Sequence, residues 1–114
     1  MPEFYLSDHF LKQLKPYSKK FRKLYADLLS SVSSFLPDAV QPLGHKLYKL
    51  RLKASDLPRG KSKAFRVIIF LRHDPELVVP IAVYFKGDVQ NLSEKEIEHH
   101  LEMVITEMES KNII

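Results

Sequence analysis

The sequence is first informative through what it lacks. It contains no cysteine, which excludes a disulfide frame, a thiolate metal site and a thiol nucleophile. No stretch approaches the roughly 18 consecutive apolar residues that a membrane-spanning helix needs. The amino terminus lacks the basic segment followed by an apolar run that marks a secretory leader. These absences lead us to expect a soluble, cytoplasmic protein with no membrane partner.

Acidic residues are scarce in one part of the chain. Between positions 44 and 66, eight basic residues face one acid, a formal charge of +7 in a chain whose total is +4. The basic residues are Lys46, Lys49, Arg51, Lys53, Arg59, Lys61, Lys63 and Arg66. Such a concentration of positive charge suits a polyanion, of which nucleic acid is the commonest, although solvated lysines that aid solubility are the alternative. The segment 94–114 has two bases against six acids, so the two regions are expected to meet different partners.

The chain is long enough for a single hydrophobic core, since it has 114 residues of which 45% are hydrophobic. We therefore expect one domain over residues 1–114. Apolar residues at spacings of three and four predict a helix over 21–36. A preceding helix, capped at Ser7 or Asp8, is expected to end at Pro16, so that the two helices form an antiparallel hairpin.

Three strands are predicted after this hairpin, over 47–53, 64–72 and 77–86. The first alternates apolar and basic residues, which places its basic side chains in a row on one face. The second is mostly apolar, as in a central strand buried on both faces, and Pro80 predicts an edge or bulge in the third. A capping box from Ser93 to Glu96 opens a last helix. The predicted fold class is α+β, with an N-terminal helical hairpin on a small, mainly antiparallel sheet of three to four strands and a C-terminal helix.

Arg66 is the strongest single candidate for chemistry. It shares a predicted strand face with apolar residues, so its guanidinium requires either a neutralising acid or a bound anion such as phosphate. Tyr84 and Lys86 stand on one side of the last strand and converge with Arg66 if the two strands are neighbours. A phenol and an ammonium there are suited to moving protons at a phosphodiester, whereas packing is the alternative role for the tyrosine.

The histidines and acids do not indicate a metal centre. His99 and His100 are adjacent on the predicted last helix and point about 100° apart, which is unsuited to joint chelation. No cluster of acids suggests a magnesium nuclease. His45 precedes the basic strand and is a candidate acid or base. Any cleavage of nucleic acid is therefore expected to proceed without a metal or another cofactor.

Four segments together resemble the RelE/HigB/ParE superfamily of bacterial type II toxins. They are Gly44-His45-Lys46-Leu47-Tyr48-Lys49-Leu50-Arg51-Leu52, Arg59-Gly60-Lys61-Ser62, Ala64-Phe65-Arg66-Val67-Ile68-Ile69-Phe70 and Tyr84-Phe85-Lys86-Gly87-Asp88. The order of helical hairpin, strands and capped terminal helix is also similar to that family, and the likeness covers about residues 4–108. Among its members, the chain most resembles the HigB and RelE mRNA interferases.

The resemblance implies a small toxin that enters the ribosomal A site, cleaves mRNA and so inhibits translation, and that a cognate antitoxin neutralises in a toxin–antitoxin complex. In such toxins the ribose 2′-hydroxyl attacks the adjacent phosphate, and basic side chains take the place of a metal. Carried over by motif, the catalytic candidates are Lys49, Arg51, Arg66 and Lys86. The RNA-binding candidates are Lys46, Lys53, Arg59, Lys61, Lys63 and Tyr84.

Two alternatives remain within the same resemblance. The acidic terminal helix is longer than in the compact nucleases, which leaves open a ParE-like toxin that inhibits DNA gyrase and cleaves nothing. The other is a degenerate member that binds RNA or an antitoxin without catalysis.

Overall fold

The computed structural model describes residues 3–56, 65–73 and 76–114, and it has the predicted α+β fold. The helices are α1 (Asp8–Lys20), α2 (Leu24–Ser33) and α3 (Glu94–Ser110). The strands are β1 (Glu3–Phe4), β2 (Gln41–Gly44), β3 (Leu47–Leu52), β4 (Phe65–Arg72) and β5 (Leu77–Phe85). They form one sheet of five strands, rather than three to four, in the order β1-β5-β4-β3-β2. Only the β1–β5 pair is parallel among these described strands.

The first helix runs through the proline that was expected to end it. Ser7 caps α1 as predicted, because its hydroxyl accepts a hydrogen bond from the Phe10 amide. Pro16 lies inside the helix and deprives the Lys12 carbonyl of its usual donor. Both residues are exposed, so water can hydrate that carbonyl. The junction with α2 therefore lies at residues 21–23, and α2 is shorter than the predicted 21–36.

Strand β2 was not predicted, because its sequence Gln41-Pro42-Leu43-Gly44 resembles a loop. It pairs with the basic strand β3 in an antiparallel hairpin. The two residues of the connecting turn, His45 and Lys46, have φ of 52° and 65°. Positive φ at both loop residues is what a two-residue type I′ turn requires, and it costs non-glycine residues conformational energy.

The predicted bulge at Pro80 is confirmed. The register of β4 against β5 shifts where Ile69 faces Pro80 and Ile68 faces Ala82. The side chain of Gln13 on α1 completes the hydrogen bonding of β5 beyond the short strand β1. Its amide nitrogen donates to the Ile81 carbonyl at 2.9 Å, and its oxygen accepts from the Val83 amide at 3.3 Å. A helix side chain thus occupies the position that a longer β1 would fill.

Alternate residues of the strands divide the interior into two cores. The first core lies between the sheet and α1 and α2, and it contains Phe10, Leu14, Leu24, Leu28, Val32, Leu52, Phe65, Val67 and Ile69. The second core lies under α3 and contains Ile68, Val79, Ile81, Ala82, Tyr84, Val104 and Met108. The prediction that β4 is a central strand buried on both faces is therefore confirmed.

The last helix begins with the predicted capping box, in which Ser93 accepts from the Glu96 amide and Glu96 accepts from the Ser93 amide. Near its other end, Glu107 accepts hydrogen bonds from the amides of Asp8 and His9 at 2.8 and 3.1 Å. This carboxylate therefore caps the amino terminus of α1, where unpaired amides and the helix dipole favour negative charge. None of the described helices is long and apolar enough to cross a membrane.

Candidate nucleic-acid interface

The face of the sheet under α3 is the candidate site, because the helix covers only part of it. Toward one end, apolar residues of β4 and β5 pack against α3. Toward the other end, the same face carries Arg51 of β3, which is exposed, and Arg66 of β4, which is half-buried. The predicted alternation in β3 is confirmed, since Tyr48, Leu50 and Leu52 join the core on the opposite face.

Arg51, Arg66 and Tyr84 stand directly opposite one another on three neighbouring strands. We call these three residues the arginine–tyrosine row. Side chains of directly opposite strand residues lie side by side, and like charges in that position repel. Neither arginine forms an ion pair with a carboxylate in the described part of the chain. Arg66 donates only a weak hydrogen bond, at 3.4 Å, to the Phe65 carbonyl.

The one acid of the basic segment does not neutralise the row. Asp56 instead accepts a hydrogen bond, at 2.8 Å, from the Lys23 amide at the start of α2. Two further hydrogen bonds hold the same loop. The Asp27 carboxylate accepts one from the Ser55 amide at 2.7 Å and one from the Ser55 hydroxyl at 2.8 Å. Asp56 therefore serves as a helix cap on the covered side of the sheet.

Tyr84 is the most unusual member of the row. Only 3% of its surface is exposed, and its hydroxyl has no hydrogen-bond partner among the described residues. Burial raises the pKa of the phenol, and the charge of Arg66 opposes that rise in part. The phenol is therefore protonated at neutral pH and carries a proton that it can donate. An orphaned buried hydroxyl costs stability, which is a common sign of a functional position.

Lys49 extends the row toward the helix. It lies on the same face of β3 as Arg51, two positions away, and its ammonium donates to the Asn91 side-chain oxygen at 2.9 Å. Asn91 belongs to the loop between β5 and α3. Sequence reasoning missed Asn91, because an isolated asparagine in a loop carries no pattern that links it to a strand lysine.

Two adjoining cavities meet at Lys49. The smaller holds about 310 Å³ and is lined by Ala39, Val40, Gln41, Lys49, Leu50, Arg51 and Arg66. The larger, which we call the α3 cleft, holds about 780 Å³ and lies between α3 and the β2–β3 hairpin. Its lining includes Tyr84 and Asn91 as well as Lys49. A basic cavity and a mostly apolar one thus share Lys49 as a lining residue.

The other predicted site residues are more dispersed. Lys46 is exposed at the hairpin turn, Lys53 is exposed just after β3, and Lys86 is exposed one residue beyond β5. The structure therefore brings together Lys49, Arg51, Arg66 and Tyr84, and it leaves these three lysines at the edges. Arg59, Lys61 and Lys63 lie outside the described residues.

The histidines fall into two groups. His45 lines the α3 cleft, but it is six positions before Arg51. The four residue-to-residue steps from Leu47 to Arg51 alone span about 13 Å of strand, so His45 cannot share one phosphate with the row. In the second group, His9 of α1 and His100 of α3 share a hydrogen bond of 2.8 Å between Nε2 and Nδ1. In the described part of the chain, no group of three or more His, Asp or Glu residues could hold a metal ion.

The chemistry of the site suits a ligand that has an anionic group at one end and an apolar group at the other. Two guanidiniums and one ammonium surround the basic cavity, and a protonated phenol is the only hydroxyl lining the α3 cleft among the described residues. Guanidinium groups bind phosphate oxygens in pairs, whereas an ammonium acts as a point charge. No protein-family model matches the chain, and no curated protein matches it.

Proposed function

We propose that this protein is a RelE/HigB-like endoribonuclease toxin that binds mRNA at the ribosome and cleaves it without a metal. The arginine–tyrosine row carries the proposal, since it combines two guanidiniums that no described acid neutralises with a buried phenol that has no partner in the described part of the chain. A protein tolerates such an arrangement when a bound anion compensates for it.

The proposed reaction needs only water and the groups that the row and Lys49 supply. The 2′-hydroxyl loses a proton as its oxygen bonds to phosphorus, the bond to the 5′-oxygen breaks, and that oxygen gains a proton. The products are a 2′,3′-cyclic phosphate and a 5′-hydroxyl. Arg51 and Arg66 stabilise the negative charge that develops on the phosphoryl oxygens. Tyr84 donates the proton to the leaving oxygen, a water molecule accepts the proton of the 2′-hydroxyl, and the Lys49 ammonium stabilises the charge that develops on the attacking oxygen.

The partners proposed with this activity are the ribosome, its mRNA and a cognate antitoxin. The exposed Lys46, Lys53 and Lys86 surround the site and suit the long-range attraction of an RNA backbone. An acidic segment of the antitoxin would complement the same surface.

A purified translation system tests the proposal directly. The wild-type protein should cut mRNA that is bound to the ribosome, and it should leave DNA supercoiling by gyrase unchanged. Arg66→Ala should reduce the cleavage rate by about 10²–10³-fold, the usual loss when one transition-state donor is removed. Arg72→Ala is the matched control, because Arg72 ends the same strand and lies about 20 Å from Arg66.

The outcomes separate the candidate functions. Cleavage absent with supercoiling inhibited would establish the ParE-like alternative. Full cleavage by a folded Arg66→Ala variant would show that the row is not the site. Circular dichroism of both variants distinguishes a lost site from a lost fold.

A further inference from the structure

The α3 cleft is too large and too apolar to be explained by the phosphate chemistry alone. Its walls are aliphatic side chains from four parts of the chain: Leu43, Leu47, Ile68, Leu92, Ile97 and Leu101. Its volume of about 780 Å³ lies within the range of small-molecule binding sites, which are mostly apolar with a few convergent polar groups.

The charged groups of the α3 cleft lie in different parts of it, with the cation beside the basic cavity and the acids on α3. Lys49 stands where the cleft joins the basic cavity, and Glu94 and Glu98 of α3 belong to the lining of the cleft alone. The other polar residues of the lining are His45, Asn91 and Tyr84, whose buried hydroxyl has no hydrogen-bond partner among the described residues. A phosphate or an acidic peptide would be repelled by the two glutamates, so the cleft suits the uncharged end of a ligand whose anionic end lies at the arginines.

A nucleobase has the required chemistry. Its two faces are apolar enough to pack against leucine and isoleucine, and its edge needs hydrogen-bond donors and acceptors. A glutamate carboxylate accepts a hydrogen bond from an exocyclic amino group, as it does from cytosine N4. Cytosine, adenine and guanine carry such a group, whereas uracil presents a single ring N–H between two carbonyls.

We propose that the α3 cleft is a nucleobase subsite, and that it prefers a base with an exocyclic amino group over uracil. The proposal rests on the proposed function, because the nucleotide's phosphate is taken to lie on the arginine–tyrosine row. Lys49 contributes to both cavities and couples the two ends of the nucleotide. Tyr84 gains in the bound nucleotide the hydrogen-bond partner that it lacks among the described residues.

The two binding sites can be tested separately by nuclear magnetic resonance titration of the whole chain with 5′-CMP, 5′-UMP and ribose 5-phosphate. All three ligands carry the phosphate, and only the first two carry a base. All three ligands should shift the amide signals of Arg51 and Arg66. Only the nucleotides should shift those of Leu47, Ile97 and Leu101, and 5′-CMP should bind roughly fivefold more tightly than ribose 5-phosphate, the lower end of what one ordered base contributes. Affinity for 5′-UMP should lie between the two.

Variants on α3 give the matched comparison. Ile97→Trp fills the cleft and should abolish the advantage of 5′-CMP over ribose 5-phosphate while the shifts at Arg66 persist. Met103→Trp adds the same side chain at an exposed position outside the cleft and should leave all three affinities unchanged. Glu98→Gln should reduce the difference in affinity between 5′-CMP and 5′-UMP.

The failures of the two proposals are distinguishable. Nucleotides that shift only the arginine signals, with the affinity of ribose 5-phosphate, overturn the subsite and leave the phosphate site standing. Nucleotides that shift only the signals of the cleft, with no response at the arginines to any of the three ligands, overturn the phosphate site instead. Equal affinities for 5′-CMP and 5′-UMP overturn the stated base preference.

Discussion

The two faces of the sheet are built from alternate residues of the same strands, yet they differ in how they are covered. Two helices seal one face over a core of leucine, valine and phenylalanine. One helix covers only part of the other face, where a buried tyrosine has no hydrogen-bond partner among the described residues and two arginines stand side by side. The sealed face therefore holds the larger core, whereas the open face combines a smaller core with basic side chains that a ligand could reach.

Adjacent residues of β4 give the sharpest comparison of the two faces. Phe65 is fully buried on the sealed face, where its ring packs against those of Tyr17, Phe21 and Phe85. Phe65→Ala should lower the free energy of unfolding by about 3–5 kcal/mol, the usual cost of truncating a core aromatic residue. Arg66→Ala, one position along, should change it by less than about 1 kcal/mol. Urea denaturation of both variants checks the contrast, and equal losses would contradict it.

Charge reversal tests the open face as a binding surface. Lys49→Glu with Arg51→Glu should weaken binding of both the ribosome and an acidic antitoxin segment by more than about tenfold, and should reduce the salt dependence of the association rate. Stopped-flow binding at several salt concentrations measures this. Lys15→Glu with Lys19→Glu, both exposed on α1, is the control with the same change in net charge.

A selective loss would locate the antitoxin elsewhere. If the reversed variant loses the ribosome and keeps normal antitoxin affinity, the antitoxin must act on another surface, for which the terminal helix from Ser93 to Met108 is the first candidate.

Removing the Tyr84 hydroxyl should keep or raise the stability of the fold and should lower the cleavage of mRNA. Tyr84→Phe deletes a buried polar atom that has no described partner, so the free energy of unfolding should rise by about 1 kcal/mol or stay constant. Cleavage of mRNA should fall, because the proposed proton donor is lost. Thermal denaturation and the mRNA assay are measured together, and a stability loss above about 2 kcal/mol would show that the hydroxyl has a structural partner.

Between α1 and α3, a pH dependence is expected from His9 and His100. Burial, and then the charge of a neighbouring histidine, lower the pKa of both imidazoles below the ordinary value of 6.5. The unfolded chain therefore binds protons more readily than the folded chain. Stability from this pair should be complete above about pH 6.5 and should fall as the pH drops from there through the lowered folded pKa values.

The charged groups around His9 and His100 determine how strongly stability depends on pH, which is the smallest of the effects predicted here. His99 and Lys12 oppose protonation of His9, whereas Glu107 favours it, and Glu96 favours protonation of His100. His100→Gln should flatten the stability profile between pH 7.5 and 5.5, measured by urea denaturation. Lys12→Gln, at an exposed position of α1, is a second test, since removing a cation that opposes protonation of His9 should make the profile shallower.

Local sequence patterns predicted the strands β3, β4 and β5, the bulge at Pro80 and the cap of the last helix, because each depends on neighbouring residues. They failed where a distant partner decides the structure. Strand β2 exists because β3 pairs with it, and α1 passes Pro16 because its apolar side continues onto the core. The pairing of Arg51 with Arg66 follows from strand register, and the capping role of Asp56 depends on α2. Neither can be read from spacing along the chain.

The carboxylate of Glu107, at the amino terminus of α1, has a consequence for the order in which the protein is made. The first helix obtains this cap from a residue 99 positions later, and β1 must wait for β5 at Leu77 and Val78. During synthesis from the amino terminus, these contacts become available only once α3 has left the ribosome. The proposed toxin would therefore complete its structure only at that point, and it would spare the ribosome that is translating it.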